Sequence, residues 1–451
     1  MFLSAKAHET DEADSPARFS FAIPGTMQVY WHKSEQHKGA AGYAEQRQVR
    51  YRSHKPREPQ VPHDETAFRP LSARTYFLAL TVLGASLIVT NRYFTEVDDE
   101  VAIIDAAAKP VLHTISSFLS GGGQHEHPPL SDLVLHEWLR ITQGNIHLLR
   151  VPSIVFYLIG VWFMVQAADR IADGRAKTYT LLLLLIWPYG FHFGRLAGWY
   201  AFSFMLVSFL TFTYFKYLES PTFGGWVPVV LCSLALIYTN FFGWALLACL
   251  SFDLLLESAR DIRKWLMLLA TGGFLLAASS PILLPFIQEL QYGAKPALSI
   301  SAILTGFYNL YCLFISESVA PWFLVLGIPA GIAIACTVFL TFIYSKPQAR
   351  RILVYFCVLL SVMTSLQIGN TKRMLMISPW LLLPIGTALS TAHPSARRRL
   401  TVCLGLIGAI GWYGILARNV YAAPHWLEPW DQVARQAANL SGHKSIVIGN
   451  N

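Results

Sequence analysis

Apolar residues in this chain fall into long runs separated by short polar breaks. The runs cover roughly 75–93, 151–168, 178–194, 199–215, 226–240, 241–257, 265–287, 321–344, 351–367, 374–391 and 400–417. Most have the about 17–24 residues that a helix needs to cross a ~30 Å hydrocarbon layer. Lipid offers backbone amides no partner, so such runs are helical. Two stretches are too long for one span and read as tight hairpins, with breaks at 194–198 and 238–240. The pattern predicts an all-α polytopic membrane protein with about eleven transmembrane helices.

Between and beyond the runs lie the polar pieces. Residues 1–72 are rich in His, Arg, Gln, Glu and Pro and lack apolar periodicity, so they read as a disordered tail. No basic stretch followed by an apolar core opens the chain, so no signal peptide is expected. Basic residues then flank the first run (Arg47, Arg50, Arg52, Lys55, Arg57, Arg69, Arg74), a juxtamembrane pattern that binds anionic lipid and holds the N-terminus in the cytoplasm. Alternate loops downstream carry Arg170, Arg175 and Lys177; Lys216; Arg260, Arg263 and Lys264; Lys346, Arg350 and Arg351; and Arg397, Arg398 and Arg399. The loops between them are poor in basic residues for their length. This alternation puts the first long loop (94–150), a middle loop (about 288–320) and the tail after 418 on the extracytoplasmic side. The expected units are the tail 1–72, a membrane domain 73–420 and a short segment 421–451. Two amphipathic stretches in the first loop, 101–119 and 130–141, read as helices lying along the membrane surface.

Composition agrees with this picture. Hydrophobic residues make up 54% of the chain and charged residues only 14%, against about 25% charged in soluble domains. The net charge of +8 would suit nucleic acid, but it lies beside the membrane, so lipid and not nucleic acid is the expected partner. The six cysteines (232, 249, 312, 336, 357 and 403) form no metal-binding spacing and read as small apolar residues.

The candidate chemistry sits in the first loop and at three later turns. The loop opens Glu96-Val97-Asp98-Asp99-Glu100 and later reads His125-Glu126-His127-Pro128-Pro129-Leu130. Acids next to a span are costly unless solvated or paired, so they form either a solvated cap or a site. The two prolines begin the following helix. Glu126 either serves a site or balances that helix dipole. His127 orients the loop or, with His125 and Glu126, forms part of a metal site, for which no remote ligand set stands out. Arg195, Lys372 and Arg373 are basic residues on the side poor in them. They either grip a phosphate or snorkel to the interface. Tyr200 and Asn240 are second-rank contacts or packing residues. Asp253 and Glu257 read as interfacial partners of Arg260 and Lys264. The middle loop's aromatics (Tyr292, Phe307, Tyr308, Tyr311, Phe314) either cover a site or mark the interface.

In order, the sequence carries the acidic pair after the first span, His127-Pro128-Pro129-Leu130, Leu148-Leu149-Arg150-Val151-Pro152-Ser153, Arg195 in Gly-Arg-Leu-Ala-Gly-Trp-Tyr-Ala, Tyr238-Thr239-Asn240-Phe241-Phe242-Gly243, and Thr371-Lys372-Arg373-Met374-Leu375. This series resembles the GT-C glycosyltransferases, nearest the bacterial members related to protein O-mannosyltransferases and lipid A aminoarabinose transferases. Asn240 stands where those members usually have His. The resemblance implies a GT-C fold and sugar transfer from a polyprenyl-phosphate donor to an acceptor on the extracytoplasmic face. Asp99 is then the general base, with Asp98 its competitor because the aspartate is doubled, and Glu100 supports them. Glu126, His127, Arg195, Tyr200, Asn240, Lys372 and Arg373 would contact substrate. The segment from Trp430 to Asn451 looks like the start of an α/β domain found in some relatives, vestigial or cut short here.

No cofactor is expected, and a divalent metal is not indicated, since a monophosphate donor needs one less than a diphosphate. The acceptor (glycolipid, polysaccharide or protein) stays open, and the expected location is a bacterial inner membrane. The alternative is a transporter or flippase of a lipid-linked saccharide. It is disfavoured because the acids cluster at one surface and no repeated half is visible. A polymerase or ligase with a diphosphate donor, and an inactive scaffold, are the further alternatives.

Overall fold

The structure is a computed structural model. It describes residues 71–91, 100, 103, 107–120, 127–145, 148–257, 261–292, 299–366 and 370–417, without the side chains of 289–292. All of these belong to the compact unit Thr66–Asn451. Residues 1–70, Asp98, Asp99, Glu126 and the segment 421–451 lie outside the described residues.

Every regular element among the described residues is helical. In chain order the α-helices are α1 Ala73–Thr90, α2 Val111–Leu119, α3 Leu130–Ile141, α4 Val151–Ile171, α5 Gly174–Ile186, α6 Pro188–Phe193, α7 Trp199–Glu219 and α8 Phe223–Ile237. They continue as α9 Gly243–Glu257, α10 Ile262–Ala278, α11 Ser280–Tyr292, α12 Ile300–Ile315, α13 Leu324–Tyr344, α14 Pro347–Ser365, α15 Pro379–Thr391 and α16 Pro394–Ala417. Starts are set by side-chain caps and prolines. Ser72, Asp173, Thr222, Asp261 and Ser299 each accept from an amide of the first turn, which satisfies a donor that has no partner inside the helix. Proline opens α6, α14, α15 and α16, where its missing N–H costs nothing.

By length and composition, six helical segments among the described residues can cross a membrane: Ala73–Thr90, Val151–Ile171, Trp199–Glu219, Ile300–Ser318, Leu324–Tyr344 and Pro394–Ala417. The pair α10 and α11, bent by 76°, makes a seventh if it is counted as one span. The predicted count of eleven therefore does not follow from helix length. Proline is one reason. The run 178–194 is split at Trp187, whose extended backbone (φ −73°, ψ 107°) precedes Pro188, as the proline ring requires. Likewise the stretch 101–119 is no single helix, because Pro110 precedes α2.

Cross-links identify two ends of the bundle. At one end Arg170 pairs with Glu219, Lys346 Nζ donates to Ala172 O, Arg351 pairs with Glu257, and Tyr344 meets His393. The basic loops found by alternation thus gather together. At this end Asp253, buried in α9, accepts from Tyr214 (2.6 Å) and Tyr355 (3.0 Å) and pairs with Arg351 (2.7 Å). Arg351 of α14 pairs with both of these acids; of the expected neighbours, Arg260 lies outside the described residues. The opposite end carries Arg195, and α2 and α3 pack there: Leu130 N donates to Tyr238 O at 3.1 Å, and Phe118 clusters with Ile237, Phe241, Leu275 and Ile282.

The middle loop is a correction to the sequence reading. Most of it is α12, capped by Ser299. Tyr311 and Phe314 are buried in the core, so these two do not form a cover, and Phe307 faces outward. The packing of α12 stays at the Arg195 end: Gly306 lies against Thr364 at the close of α14, and Ile315 and Ser318 lie against Gly411 and Gly414 near the close of α16. The short link to α13 leaves from the same end, so the alternation of ends downstream survives this extra helix.

The core is organised on α15, which is buried on every side, as expected of a helix that is apolar all round. Trp380, in its first turn, is fully buried and donates to Thr211 Oγ1 at 2.9 Å. Gly386 meets α5 so closely that an added Cβ would lie 2.0 Å from Thr180 Oγ1 and 3.2 Å from Thr180 Cα. A small residue there lets two helix backbones approach. Gly386→Ala should therefore destabilise the protein by about 1–3 kcal/mol, the usual cost of overpacking. A lowered melting temperature in detergent checks this, and adding Thr180→Ala should recover part of the loss.

Candidate active site

The site begins with a buried charge. Glu100 and Arg150 are both almost fully buried. Arg150 Nε and Nη2 donate to the two Glu100 carboxylate oxygens at 2.9 and 2.5 Å, and the Ala197 amide donates to Oε1 at 2.7 Å. Arg150 Nη1 also donates to Asn91 Oδ1 at 3.1 Å. The bidentate geometry is the strong, directional form of this pair. It ties the acidic run to the end of α1, the start of α4 and the turn between α6 and α7. Both Glu100 oxygens are engaged in holding that junction. Arg150 had no role in the sequence reading. The signal was there, since an arginine inside Leu-Leu-Arg-Val-Pro needs a carboxylate if it is buried.

The turn 194–198 carries Arg195, which is fully buried. Its Nε and Nη2 donate to Phe191 O at 3.0 and 2.8 Å, and Nη1 donates to Thr90 Oγ1 at 2.9 Å. The guanidinium also lies 4.3 Å from the centre of the Phe191 ring, an attractive cation–π arrangement. Gly198 closes the turn at φ +125°, and a side chain there would strike Ile103 of the first loop at 2.7 Å. Trp199 follows, 6.0 Å from the His127 ring and 4.5 Å from the Tyr200 ring. Tyr200 is itself buried.

The turn between α8 and α9 holds the other side of the first loop. Asn240 is buried, and its side-chain oxygen accepts from the Phe242 amide at 2.8 Å, closing its own turn. Tyr238 OH donates to Ala278 O at 2.7 Å. Beside Pro129 and Leu130, an apolar cavity of about 260 Å³ opens between Phe118, Leu133, Tyr238 and Ile282.

Lys372 and Arg373 are the first two residues of a 3-10 turn, Lys372–Met376. Both are half-buried, while Met374, Leu375 and Met376 are wholly buried. Thr371, just before them, donates through Oγ1 to Glu317 Oε1 and accepts at its carbonyl from Tyr189 OH. His192 Nδ1 and Ser316 Oγ share a hydrogen bond of 2.6 Å. Glu317 is the second residue that the sequence reading missed. An acid within an apolar stretch was its signal.

One short stretch, 189–200, therefore touches several parts of the site. Tyr189 holds the basic turn, His192 holds the Glu317 turn, Arg195 holds the end of α1, Ala197 holds Glu100 and Trp199 lies by His127. Among the described residues, no group of His, Cys, Asp and Glu is arranged to hold a metal ion.

No protein-family model matches the sequence, and no curated protein matches it. Solved structures do. ArnT from Cupriavidus metallidurans bound to undecaprenyl phosphate aligns at a TM-score of 0.53 and 15% identity, over 78% of this chain and 67% of its own. The apo state of the same protein aligns at 0.52 and 15%, over 79% and 67%. The arabinofuranosyltransferase AftD from Mycobacteria aligns at 0.49 and 14%, over 82% of this chain and 29% of its own. Taken with the ordered motifs and the all-helical bundle, the two ArnT likenesses give this chain the fold of the GT-C glycosyltransferases.

Proposed function

We propose that this chain transfers a sugar from a polyprenyl-phosphate donor to an acceptor hydroxyl or amine at the extracytoplasmic face of a bacterial inner membrane. The observation that carries the reading is the buried Glu100–Arg150–Ala197 junction. It fixes the residue after Asp98-Asp99 to the same short stretch that holds the Lys372-Arg373 turn. The undecaprenyl phosphate bound by ArnT supports a donor of that class. Nucleotide sugars are cytoplasmic, so an outward-facing site calls for a lipid-carried sugar.

The chemistry is a single displacement with inversion. Asp99, or its neighbour Asp98, accepts the proton of the acceptor group as that group bonds to the anomeric carbon. The bond from that carbon to the phosphate oxygen breaks, and the polyprenyl phosphate leaves with the electron pair. Lys372 and Arg373 meet the charge that develops on it. Glu100 holds the acidic run in place. His127 and Glu126 shape the loop around the sugar, with Tyr200 and Asn240 behind it. Arg195 contributes by fixing the end of α1 beside the turn that meets Glu100.

Asp99→Asn should lower transfer by at least about 10²–10⁴-fold, the usual worth of a general base, while the protein stays folded and membrane-inserted. Transfer assays on Asp99→Asn and Asp98→Asn decide which aspartate is the base, and wild-type turnover in both variants overturns the assignment. Glu100→Ala leaves the Arg150 charge buried without its partner, which should cost about 3–5 kcal/mol. Thermal unfolding measures this. The double variant Glu100→Ala/Arg150→Ala should lose less than the sum of the two single changes.

A further inference from the structure

We propose that Glu317 is a positioning residue. Its buried carboxylate, acting through Thr371, sets where Lys372 and Arg373 meet the donor phosphate. The inference rests on the function proposed above and assigns that function a residue outside its motifs.

The turn Ser316–Ser318 is built more firmly than a connector requires. Ser316, Glu317 and Ser318 are 0, 7 and 0% exposed. Ser316 adopts φ +68°, a left-handed conformation that is costly for a residue with a side chain. Strain of this kind persists only where the surroundings over-determine it, and it gathers at functional sites. Here the surroundings are identifiable. His192 bonds Ser316 Oγ at 2.6 Å on one side of Glu317. On the other side, Ser318 Oγ donates to Ile315 O and to Gly411 O of α16 at 2.7 and 2.9 Å. The carboxylate between them is thus aimed by three elements.

It accepts from the hydroxyl of Thr371. Thr371 opens the short 3-10 turn, its carbonyl accepting from the Met374 amide at 3.3 Å. From outside the turn its hydroxyl is taken up by Glu317, and its carbonyl accepts a second bond from Tyr189. Asn370 Oδ1 accepts from the Arg373 amide at 3.0 Å. Beyond the cations, Met374, Leu375 and Met376 are locked in the core. The turn is therefore pinned on both flanks and presents only Lys372 and Arg373. A phosphate is gripped by cations held in place, and a displacement of about 1 Å from productive geometry can cost as much as a hundredfold. A buried carboxylate is a costly way to hold a threonine. Its use beside two cations suits a phosphate site better than a plain packing contact.

The test compares Glu317→Ala, Glu317→Gln, Thr371→Val and Thr371→Ser in nanodiscs. It reads the donor KM and kcat and the direct binding of undecaprenyl phosphate. Glu317→Ala and Thr371→Val should raise KM and weaken lipid-phosphate binding by about ten- to hundredfold, the usual worth of a hydrogen bond to a charged group, and should lower kcat too, because the same cations meet the charge on the leaving phosphate. Glu317→Gln, which keeps an acceptor oxygen, should fall between, and Thr371→Ser should recover most of the affinity. Should Glu317→Ala fail to fold, Thr371→Val against Thr371→Ser decides the matter. Unchanged KM and binding in Thr371→Val, or equal losses in Thr371→Ser and Thr371→Val, overturn the role of Glu317 and leave the transferase reading standing. A wild-type protein that neither binds undecaprenyl phosphate nor consumes donor removes both.

Discussion

A carboxylate and a guanidinium removed from solvent must find each other. In this fold Glu100 and Arg150 do so where three segments meet. Leaving either alone would strand a charge in a low-dielectric setting, which few contacts elsewhere could offset. Their pairing therefore decides how the first loop returns to the bundle. Because the Ala197 amide completes the arrangement, it also decides how that loop sits on the turn between α6 and α7. That turn exists because Pro188 and Gly198 break what would otherwise be one long hairpin. The breaks leave a short helix whose side chains reach out in several directions. Tyr189, His192 and Arg195 each hold a different part of the site from this stretch, and the backbone at Ala197 holds a fourth.

The two ends of the bundle follow different physics. One end gathers arginines and lysines with acidic partners from neighbouring helices, and Asp253 is drawn into it by Arg351, Tyr214 and Tyr355. At the other end Arg150 and Arg195 are buried in the frame, and Lys372 and Arg373 sit half-buried on a fixed turn. Between the ends, α15 forms an apolar axis that tolerates glycine-close contact with α5.

Much of this was legible in the sequence. Apolar runs located the helices because lipid forbids any other backbone, and Gly198 and Asn240 marked real turns. Charge alternation grouped the basic loops correctly at one end. What stayed hidden has physical causes. Proline cuts some runs below the length of a span, so run-counting and helix length disagree. The helix α12 was taken for a loop because its sixteen residues include Asn309 and two tyrosines, whose burial depends on neighbours far along the chain. Arg150, Glu317 and the Arg351 partnership were missed for the same reason, since each is defined by a contact across dozens of residues or more. Asn240 and Arg195 read as ligands from their position; in the fold Asn240 Oδ1 closes its own turn and Arg195 bonds Phe191 O and Thr90 Oγ1.

The account reduces to one claim: the Arg195 end of the bundle is a site for transferring sugar from a lipid phosphate. The most direct measurement incubates the purified, nanodisc-embedded protein with a small panel of polyprenyl-phosphate sugars and follows release of the free polyprenyl phosphate. The account predicts release from at least one donor, dependent on the acidic pair in the first loop. No release from any donor, with the protein folded and acceptors supplied, would contradict it.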